Sequence, residues 1–309
     1  MTTGRLMLLD SASLYFRAFF GVPDQRTSPA EHPTNAVRGF LDMIASLVTA
    51  FEPTHLVACW DNDWRPQFRV DAIPTYKTHR LVDGSLTEEE TPDDLAVQVP
   101  LIRDALAALG IARLGADGYE ADDVIGTLAH RAGGRMPVDV VTGDRDLFQL
   151  VDDAAGVRVI YTARGGVRAP DLVDQAFLAE RYAVPTGGAY VDLAVLRGDA
   201  SDGLPGVAGI GEKTAARLLA EFGDLAGLRA ALAAGHPGLK GAQRARLEAS
   251  ADYLDVAPLV VRVAHDAPVP DADASIPGSV ADPALMSRLA SEYGLTGPFN
   301  RVLSALSLG

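Results

Sequence analysis

Short apolar runs alternate with amphipathic stretches along the first half of the chain. The runs at residues 6–9, 56–60 and 138–141 have the length of strands, and residues 34–48 and 99–109 carry apolar side chains at helical spacing. A continuous apolar run is typical of a strand whose two faces are both covered. The alternation therefore predicts an α/β fold with a central, mostly parallel sheet and flanking helices.

Helical patterns dominate the second half of the chain. Several stretches between residues 214 and 250 are rich in alanine and leucine at helical spacing, and a proline- and aspartate-rich stretch separates them from a last helix near residues 283–293. We therefore divide the chain into an α/β core, residues 1–184, and a helical subdomain, residues 185–309.

The segment from about residue 65 to residue 100 interrupts the α/β pattern. Its central part, residues 81–94, carries six acidic residues and no lysine or arginine, and it shows little hydrophobic periodicity. This composition predicts an exposed loop or arch that projects from the core.

Composition places the chain among ordinary globular proteins. It has 309 residues, 48% of them hydrophobic, and a single cysteine, Cys59, which lies in an apolar run and predicts a buried, inert thiol. No apolar run reaches the length of about 20 residues that a membrane span needs, and the N-terminus does not resemble a signal peptide. We expect a monomeric cytoplasmic protein without membrane contact. The helical character of residues 299–309 favours a stand-alone protein over a fragment cut from a polymerase.

The net charge of −14 at pH 7 argues at first against a nucleic-acid partner, because phosphate binding usually needs a basic surface. Much of this charge lies in a few acidic groups at the ends of predicted strands or in turns. Divalent cations bound by such groups would supply positive charge where a phosphate has to lie. The net charge is therefore compatible with a nucleic-acid partner if basic residues are placed locally.

Acidic side chains follow the three predicted strands. Asp10, Asp61 and Asp144 come within a few residues of the strand ends, where open α/β sheets place their ligand sites. Because the carboxyl ends of parallel strands meet at one edge of a sheet, we expect these three acids to converge.

Further acids lie at a predicted helix start and in turns. The segment 118–126 (GYEADDVIG) opens a helix, and the segment 197–203 (RGDASDG) forms a turn. Helix capping explains one or two acids in such a group and is the ordinary interpretation of each group alone. Together the groups supply nine acids: Asp10, Asp61, Glu120, Asp122, Asp123, Asp144, Asp146, Asp199 and Asp202. Because oxygen-only ligands select hard cations, we predict a site for two or more Mg²⁺ or Mn²⁺ ions.

The same segments resemble those of a known family. The motifs GYEADD (118–123), TGDRD (142–146), GDASDGLPGV (198–207) and GIGEKTA (209–215) are similar in content and order to those of 5' exonucleases and flap endonucleases. This family includes the N-terminal nuclease domain of bacterial DNA polymerase I. The resemblance spans about two thirds of the chain. It implies a PIN-like core, a helix-turn-helix-like DNA-binding element in the helical subdomain, and cleavage of DNA at 5' ends or 5' flaps in replication and repair.

The resemblance also implies roles for the individual acids. A first metal ion would be surrounded by Asp10, Asp61, Glu120, Asp122 and Asp123. Asp144 would lie between two ions, and Asp146, Asp199 and Asp202 would serve the second, in part through water. The sequence departs from the family pattern at Gly203, where asparagine is usual, and in the loop at residues 81–91, which is longer and more acidic than usual.

A basic and aromatic group lies at the base of the projecting segment and is a candidate for DNA contact. It combines cations with a ring that can stack on an unpaired base, and consists of Arg65, Arg69, Tyr76, Lys77 and Arg80. The resemblance assigns Tyr76, Lys77 and Arg80 to guiding and holding the scissile strand. Arg17, seven residues after Asp10, is a further predicted DNA contact. A solvated loop with scattered arginines is the simpler interpretation of this group taken alone.

A glycine-rich loop precedes the helix that begins near residue 214. Gly206, Gly209 and Gly211 let backbone amides approach a phosphate, and Lys213 and Thr214 follow at the helix start. A plain turn between helices is the simpler interpretation of the loop alone. The resemblance implies that this loop grips the duplex backbone, with a K⁺ ion held by the main-chain carbonyls of Val207 and Ile210.

Two other functions fit parts of the pattern. A metal-dependent ribonuclease of the PIN type shares the acidic α/β site but lacks the glycine-rich duplex element. A catalytically silent DNA-binding module gains nothing from nine acids that face phosphate. The preferred interpretation is a DNA nuclease that acts on 5' ends or 5' flaps at duplex junctions, with a replication or repair polymerase and a ligase as expected partners.

Overall fold

A six-stranded sheet forms the centre of the computed structural model, which describes residues 4–28 and 30–308. The strands are β1 Leu6–Asp10, β2 His55–Cys59, β3 Ala112–Leu114, β4 Val138–Thr142, β5 Val157–Tyr161 and β6 Asp171–Val173. They lie in the order β3-β2-β1-β4-β5-β6, and all neighbours are parallel except β6, which runs antiparallel to β5. The predicted α/β fold with a mostly parallel sheet is confirmed.

The central strands are mainly apolar, apart from Asp10 of β1 and Asp139 of β4, because both faces of the sheet are covered. Every residue of β1 and β4 is buried. Neighbouring residues of a strand point to opposite faces, so Met7 and Leu8 enter two different apolar cores. Leu8 is paired in register with Val57 on one side and with Val140 on the other.

Helices from the first half of the chain supply much of this cover. They are α1 Ser11–Gly21, α2 Asn35–Phe51, α3 Gln67–Ala72, α4 Asp93–Ala96, α5 Val99–Leu109 and α6 Ala121–Ala132. On one face, Phe40 of α2 and Leu106 of α5 pack in the same core as Met7. On the other face, Val124 of α6 packs in the same core as Leu8.

The helical region packs against the α6 face of the sheet. It contains α7 Gln175–Tyr182, α8 Gly187–Arg197, α9 Glu212–Phe222, α10 Leu225–Ala233, α11 Gly241–Ala249 and α12 Ala251–Val261. α8 lies between α9, α12 and a 3₁₀ helix at Asp146–Leu150, and its Tyr190 ring lies 5.5 Å from that of Phe148. Among the helices that the structure describes, none combines the length and apolar character needed to cross a membrane.

The last two helices, α13 Pro283–Glu292 and α14 Thr296–Ala305, return to the opposite face of the sheet. Leu289, Phe299 and Val302 are buried in the core of α2 and α5, and Arg301 pairs with Asp42 of α2 at 2.7 Å. These two helices lie within the predicted helical subdomain, residues 185–309, but pack on the other face of the sheet from α8, α9 and α12. An amphipathic pattern shows that one helix face is buried but not what covers it.

The segment between residues 65 and 100 holds little regular structure. α3, a 3₁₀ turn at Thr78–Arg80 and α4 alternate with loops, and Leu81 pairs with Glu89 in an isolated bridge. The Trp64 indole donates a hydrogen bond to the carbonyl of Thr87 at 3.0 Å. The acidic loop lines the same cleft as the end of β1, so it folds over the carboxyl edge of the sheet instead of projecting freely.

Candidate metal centre and nucleic-acid interface

Four carboxylates meet at the carboxyl edge of the sheet. Asp10 is the last residue of β1, and Asp61 and Asp144 lie two residues beyond β2 and β4. Asp122 comes from the first turn of α6, whose N-terminus points to the same edge. The charges of these side chains act on one another, since Asp61, Asp144 and Asp122 all form part of one electrostatic group with Asp10.

Short hydrogen bonds hold the strand-borne acids in place. Asp10 accepts one from the amide of Ser13 at 3.1 Å and one from the hydroxyl of Thr142 at 2.7 Å. Asp61 accepts one from the amide of Ala121 at 2.8 Å, which joins the end of β2 to the start of α6. These donors are all neutral, so they orient the carboxylates without cancelling their charge.

We define a first acidic cluster as Asp10, Asp61, Glu120 and Asp122, with Asp144 treated separately. Burial and repulsion between like charges both raise pKa values in this cluster. Burial raises the pKa of Asp10 to about 7, and the charges of Asp61 and Asp144 add to the rise while the Thr142 hydrogen bond opposes it. Burial also raises the pKa of Asp122 well above its usual range, and Asp10 and Asp144 raise it further. The cluster holds more negative charge than its surroundings neutralise.

A second acidic cluster comprises Asp146, Asp199 and Asp202, whose charges act on one another. Asp146 begins the 3₁₀ helix after β4, while Asp199 and Asp202 flank the turn after α8. Burial raises the pKa of Asp146 well above its usual range, and the charges of Asp144, Asp202 and Asp199 raise it further. Burial raises the pKa of Asp202 as well, although Lys77 and Arg80 oppose this. Asp144 therefore acts on members of both clusters.

The donor set of the two clusters suits hard divalent cations. Within residues 4–28 and 30–308, no three acidic, histidine or cysteine side chains form a complete shell around one point. The clusters offer carboxylate oxygens alone, and repulsion among them contributes to their raised pKa values. A hard cation prefers these ligands and removes the repulsion. The residues present thus fit Mg²⁺ or Mn²⁺, whose binding requires the carboxylates to draw together.

Three side chains surround Glu120. Arg69 belongs to α3, and Tyr76 and Lys77 belong to the segment that follows α3. Lys77 Nζ lies 2.7 Å from Glu120 Oε1, the Tyr76 hydroxyl donates at 3.0 Å, and Arg69 Nη1 donates to Oε2 at 3.1 Å. Burial alone lowers the pKa of Lys77, but the Glu120 carboxylate outweighs it and the net pKa is raised well above the usual range. Lys77 therefore remains protonated beside the first acidic cluster.

Arg69, a predicted DNA contact, and Asp123, a predicted metal ligand, form a buried ion pair. The Arg69 side chain is 2% exposed, and Asp123 is fully buried. Both Asp123 oxygens accept from Arg69, at 2.7 and 2.8 Å, and one also accepts from the amide of Ala264. Arg69 also donates to the carbonyl of Val260 at the end of α12. Arg69 is thus enclosed by partners within the protein, and both oxygens of Asp123 accept hydrogen bonds in this arrangement.

Tyr76 and Arg65 also have partners within the protein. Tyr76 is 2% exposed, so its ring cannot stack on an unpaired base, and its hydroxyl instead orients Glu120. Arg65 donates to the carbonyls of Tyr76 at 2.6 Å and Pro74 at 3.0 Å. These bonds fasten the loop that carries Lys77.

The segment that carries Lys77 and Arg80 is docked on the second acidic cluster. The Lys77 amide donates to the Asp202 carbonyl at 3.0 Å, and Arg80 Nη2 donates to Asp202 Oδ1 at 2.9 Å. Gly203 makes this docking possible. Its φ is +71°, and a Cβ there would lie 2.3 Å from the carbonyl oxygen of Thr75. The departure from asparagine at this position therefore has a steric reason.

The glycine-rich loop connects α8 to α9, whose first turn is exposed. Gly206 has a φ of +62°, and a Cβ there would lie 2.5 Å from the carbonyl oxygen of Arg197. Gly211 precedes α9, Lys213 is exposed, and Thr214 is half-buried. These positions leave the helix start accessible to a phosphate.

The two predicted K⁺ ligands, Val207 and Ile210, and the predicted DNA contact Arg17 are less exposed than Lys213. Val207 and Ile210 are buried, and the carbonyl of Val207 accepts a hydrogen bond from the amide of Ile210 at 2.9 Å. Arg17 of α1 is half-buried and donates to the carbonyl of Ala163 at 3.2 Å. The structure places these residues without assigning a ligand to them.

An aromatic wall lines the cleft above the acids and was not predicted from the sequence. The cleft encloses about 1450 Å³, and its wall includes Tyr15, Phe16, Phe20, Trp60 and Trp64. Phe20 is 74% exposed, which is unusual for phenylalanine. The signal was available, because Tyr15, Phe16 and Phe20 follow closely after Asp10 in the sequence, and all three lie on α1.

Arg197 is a second group that the sequence patterns did not single out. It ends α8 and places Nη2 3.7 Å from Asp199 Oδ2 and 4.0 Å from Asp146 Oδ1. The available signal was its position in the sequence. Arg197 lies two residues before Asp199, a predicted metal ligand, so its positive charge has to lie near that acid.

Family models and relatives match the whole of this arrangement. Residues 5–183 match the model described as 5'-3' exonuclease, N-terminal resolvase-like domain, and residues 186–282 match 5'-3' exonuclease, C-terminal SAM fold. A "5'-3' exonuclease" of Streptomyces coelicolor is 57% identical over 97% of this chain and all of its own length. The one of Mycobacterium tuberculosis is 49% identical over 97% of both chains.

Solved structures share the fold at much lower identity. T5 5'-exonuclease with bound divalent metal ions (zinc) has a TM-score of 0.64 and 19% identity, covering 98% of this chain and 99% of its own. The catalytic core of Rad2 in complex with DNA substrate has a TM-score of 0.62 and 19% identity, covering 98% and 93%. These similarities concern the fold of the sheet and of the helical region together.

Proposed function

Since the chain belongs to the 5'-3' exonuclease family, we propose that it hydrolyses DNA phosphodiesters at 5' ends and 5' flaps, with two divalent cations bound at the carboxyl edge of the sheet. Membership agrees with the motif resemblance. The observation that supports the proposal is the group of carboxylates at the carboxyl edge of the sheet, where Asp144 lines one cleft with Asp10, Asp61, Glu120 and Asp122. The charge of Asp144 also acts on Asp146 and Asp202.

The two clusters divide the ligands between two ions. The first ion would be held by Asp10, Asp61, Glu120 and Asp122, the second by Asp146, Asp199 and Asp202, and both would share Asp144. Mg²⁺ and Mn²⁺ suit these oxygen ligands, and the T5 relative in the comparison was solved with bound metal ions. When bound, such a pair of ions activates water and stabilises the leaving oxygen of a phosphodiester.

Lys77 and Arg80 would position the scissile phosphate. Both cations lie at the rim of the acidic site, where Lys77 Nζ pairs with Glu120 and Arg80 pairs with Asp202. Their backbone is fastened to the turn of the second cluster, so a phosphate held by these two side chains is also held relative to the acids. A protonated lysine at this place would stabilise negative charge that develops on the phosphate.

The remaining DNA contacts would lie on both sides of this site. The loop with Gly206, Gly209 and Gly211, together with Lys213 and Thr214, would hold the duplex backbone without reading sequence, and a K⁺ ion could be bound by the carbonyls of Val207 and Ile210. Arg17 would contact the strand at the cleft. The aromatic wall offers flat faces to unpaired bases of the 5' strand.

The proposed substrate indicates which other proteins act with this one. Nicked and flapped DNA is produced by a replication or repair polymerase and sealed by a ligase, so these are the expected partners of a monomeric enzyme. Similarity to DNA polymerase I of Mycobacterium tuberculosis, 43% identical over 72% of this chain and 24% of the polymerase, is consistent with joint action.

Digestion of a 5'-labelled flap substrate tests the proposal. We expect short 5' products with Mg²⁺ or Mn²⁺ and none with chelator. Single-stranded RNA serves as the matched substrate for a PIN-type ribonuclease. Preferred cleavage of RNA would favour the ribonuclease, and DNA binding without cleavage in any metal would favour a silent binding module.

A further inference from the structure

Two hydroxyl groups join the end of β1 to the turn that follows β4. The Thr142 hydroxyl donates to Asp10 Oδ2 at 2.7 Å and accepts from the amide of Asp144 at 2.8 Å. The Ser13 hydroxyl accepts from the amide of Gly143 at 2.8 Å, and the Ser13 amide donates to Asp10 Oδ1 at 3.1 Å. The bonds from Thr142 to Asp10 and from Gly143 to Ser13 cross between the two segments, so each segment holds the other.

Thr142 is fixed from both of its neighbouring strands. Its side chain is fully buried at the end of β4. A hydroxyl has a single proton to donate, and here that proton goes to Asp10 of β1. On the other side, the Thr142 carbonyl accepts from the amide and from the hydroxyl of Thr162, at 2.8 and 3.1 Å, just beyond β5. The direction of the Thr142 hydroxyl is therefore set by the sheet.

The packing of β4 does not by itself call for a threonine at this position. Val140 and Val141 come directly before Thr142 and are buried in the same strand, so a valine would fill the space equally well. A buried hydroxyl is costly unless it finds partners. Gly143 is constrained as well, since a Cβ there would lie 2.8 Å from Ser13 Oγ. The residue types at the end of β4 are thus explained by the acids they contact.

We propose that Thr142 is a positioning residue whose hydroxyl sets the Asp10 carboxylate and the main chain of Asp144 relative to each other, so that both acids can bind one divalent cation. Ser13 assists through the amide of Gly143. The inference rests on the proposed metal centre and deepens it, because it names a residue that acts only through the ligands. Hydrogen-bond partners behind ligating carboxylates orient them and thereby strengthen metal binding.

Calorimetric titration with Mn²⁺ in the absence of DNA tests this role. Thr142→Val keeps the shape of the side chain and removes both hydroxyl bonds, so we expect it to weaken Mn²⁺ binding about 10- to 100-fold. Thr142→Ser keeps the hydroxyl and should bind Mn²⁺ nearly as tightly as the unaltered protein. Ser13→Ala removes only the bond from Gly143 and should weaken binding less than Thr142→Val does.

Thr127→Val is the matched control. Thr127 of α6 is also fully buried, and its hydroxyl donates to the carbonyl of Ala264 at 3.3 Å and accepts from the amide of Ala267 at 3.0 Å. This variant therefore loses the same kinds of hydrogen bond without touching a carboxylate. Thermal unfolding in chelator measures the structural cost of each variant. We expect a lower melting temperature for Thr127→Val together with an unchanged Mn²⁺ affinity.

Cleavage and binding of flapped DNA provide a second readout. Thr142→Val should need a higher Mn²⁺ concentration for half-maximal single-turnover cleavage, while its DNA affinity in chelator stays the same. Absence of Mn²⁺ binding in the unaltered protein contradicts the proposed metal centre itself. Unchanged Mn²⁺ affinity in Thr142→Val, or an equal loss in Thr127→Val, overturns the inference and leaves the metal centre standing. If Thr142→Val does not fold, Thr142→Ala and Ser13→Ala replace it with the same expected direction.

Discussion

The two acidic clusters are built on different kinds of structure. In the first, Asp10 ends a central strand and Asp122 sits in the opening turn of α6, so both positions follow from the sheet and from helix packing. In the second, Asp199 and Asp202 lie on a turn whose shape depends on Gly203 and on the docked segment at Lys77. A strand end fixes a carboxylate through the fold, whereas a turn fixes it only through its neighbours.

The same contrast extends to the cations. Lys77 contacts the first cluster at Glu120 and donates its amide to the turn of the second, so it joins the two. Arg197 serves the second cluster alone. Variants that act on one cluster, or on both, therefore separate their contributions to chemistry, stability and metal binding.

Asp144→Asn should have the largest effect, because this is the acid that both clusters share. We expect loss of cleavage by a factor on the order of 10³ or more, with DNA affinity and fold retained. Single-turnover cleavage and filter binding of the same flap substrate measure the two quantities. Asp71→Asn, an exposed acid on α3, is the matched control. Normal cleavage by the Asp144 variant would place the catalytic centre elsewhere.

Arg69→Met should cost the most stability. It leaves Asp123 buried without a counter-charge and removes one of the two cations that pair with Glu120. Breaking a buried ion pair in this way typically costs about 3–5 kcal/mol in the free energy of unfolding. Urea unfolding without metal measures this loss. The double variant Arg69→Met with Asp123→Asn removes both charges and should recover much of it. Equal destabilisation in the single and double variants would show that packing, and not charge, is what Arg69 supplies.

The strands and helices with strong periodicity were predictable, and those without it were not. The apolar runs at β1, β2 and β4 and the amphipathic pattern of α5 identify buried elements directly. β3 and β6 are only three residues long and lie at the two edges of the sheet, so they carry too few residues for a pattern. Their pairing depends on the neighbouring strand, which no local signal reveals.

The site was predictable to the level of residue type and position in the chain. The acids at strand ends followed from topology, because parallel strands end at one edge. Asp122 and Asp123 are neighbours of the same residue type, and the sequence does not show which of them turns toward the other acids. Asp123 instead pairs with Arg69, which lies 54 residues away in the chain. Arg69 and Tyr76 appeared to be surface groups because they are polar, but their partners are buried acids from another element. Long-range partners of this kind leave no trace in local sequence.

Lys77→Ala and Lys213→Ala should divide chemistry from binding. Removal of the lysine beside the acids should slow single-turnover cleavage about 100-fold with little loss of duplex affinity. Removal of the exposed lysine at the start of α9 should weaken duplex binding several-fold and reduce its salt dependence by about one counter-ion, with the chemical step unchanged. Equal losses of affinity in both variants, with no change in the cleavage rate, would contradict this division.

The first cluster should make the metal-free protein less stable as pH rises. The pKa of Asp10 is raised from 3.8 to about 7 in the folded state, so folded protein keeps a proton that the unfolded chain loses above about pH 4. The free energy of unfolding should therefore fall between about pH 4 and pH 7 and level off above this range. Urea unfolding in chelator measures the slope. Asp10→Asn should flatten it, Mn²⁺ should do so in the unaltered protein, and an unchanged slope in Asp10→Asn would contradict the assignment.

The acidic loop should give the smallest effect. Glu88, Glu89 and Glu90 line the same cleft as the first cluster and Asp144, where we expect them to repel an incoming DNA strand. Glu89 differs from its neighbours because burial raises its pKa, so the exposed pair is the cleaner target. We expect Glu88→Gln with Glu90→Gln to speed capture of flapped DNA a few-fold at low salt, with a gain that shrinks as salt rises. Stopped-flow association measures this.

A variant with the same change of charge away from the cleft distinguishes a local effect from a general one. Glu180→Gln with Glu292→Gln alters two exposed acids on α7 and α13, neither of which lines the cleft. If the loop repels the strand locally, this control should gain much less than the loop variant at equal salt. Equal gains would mean that the net charge of the protein governs capture. A loss of cleavage in the loop variant that does not depend on salt would mean that Glu88 or Glu90 makes a specific contact, since screening leaves such contacts largely unchanged.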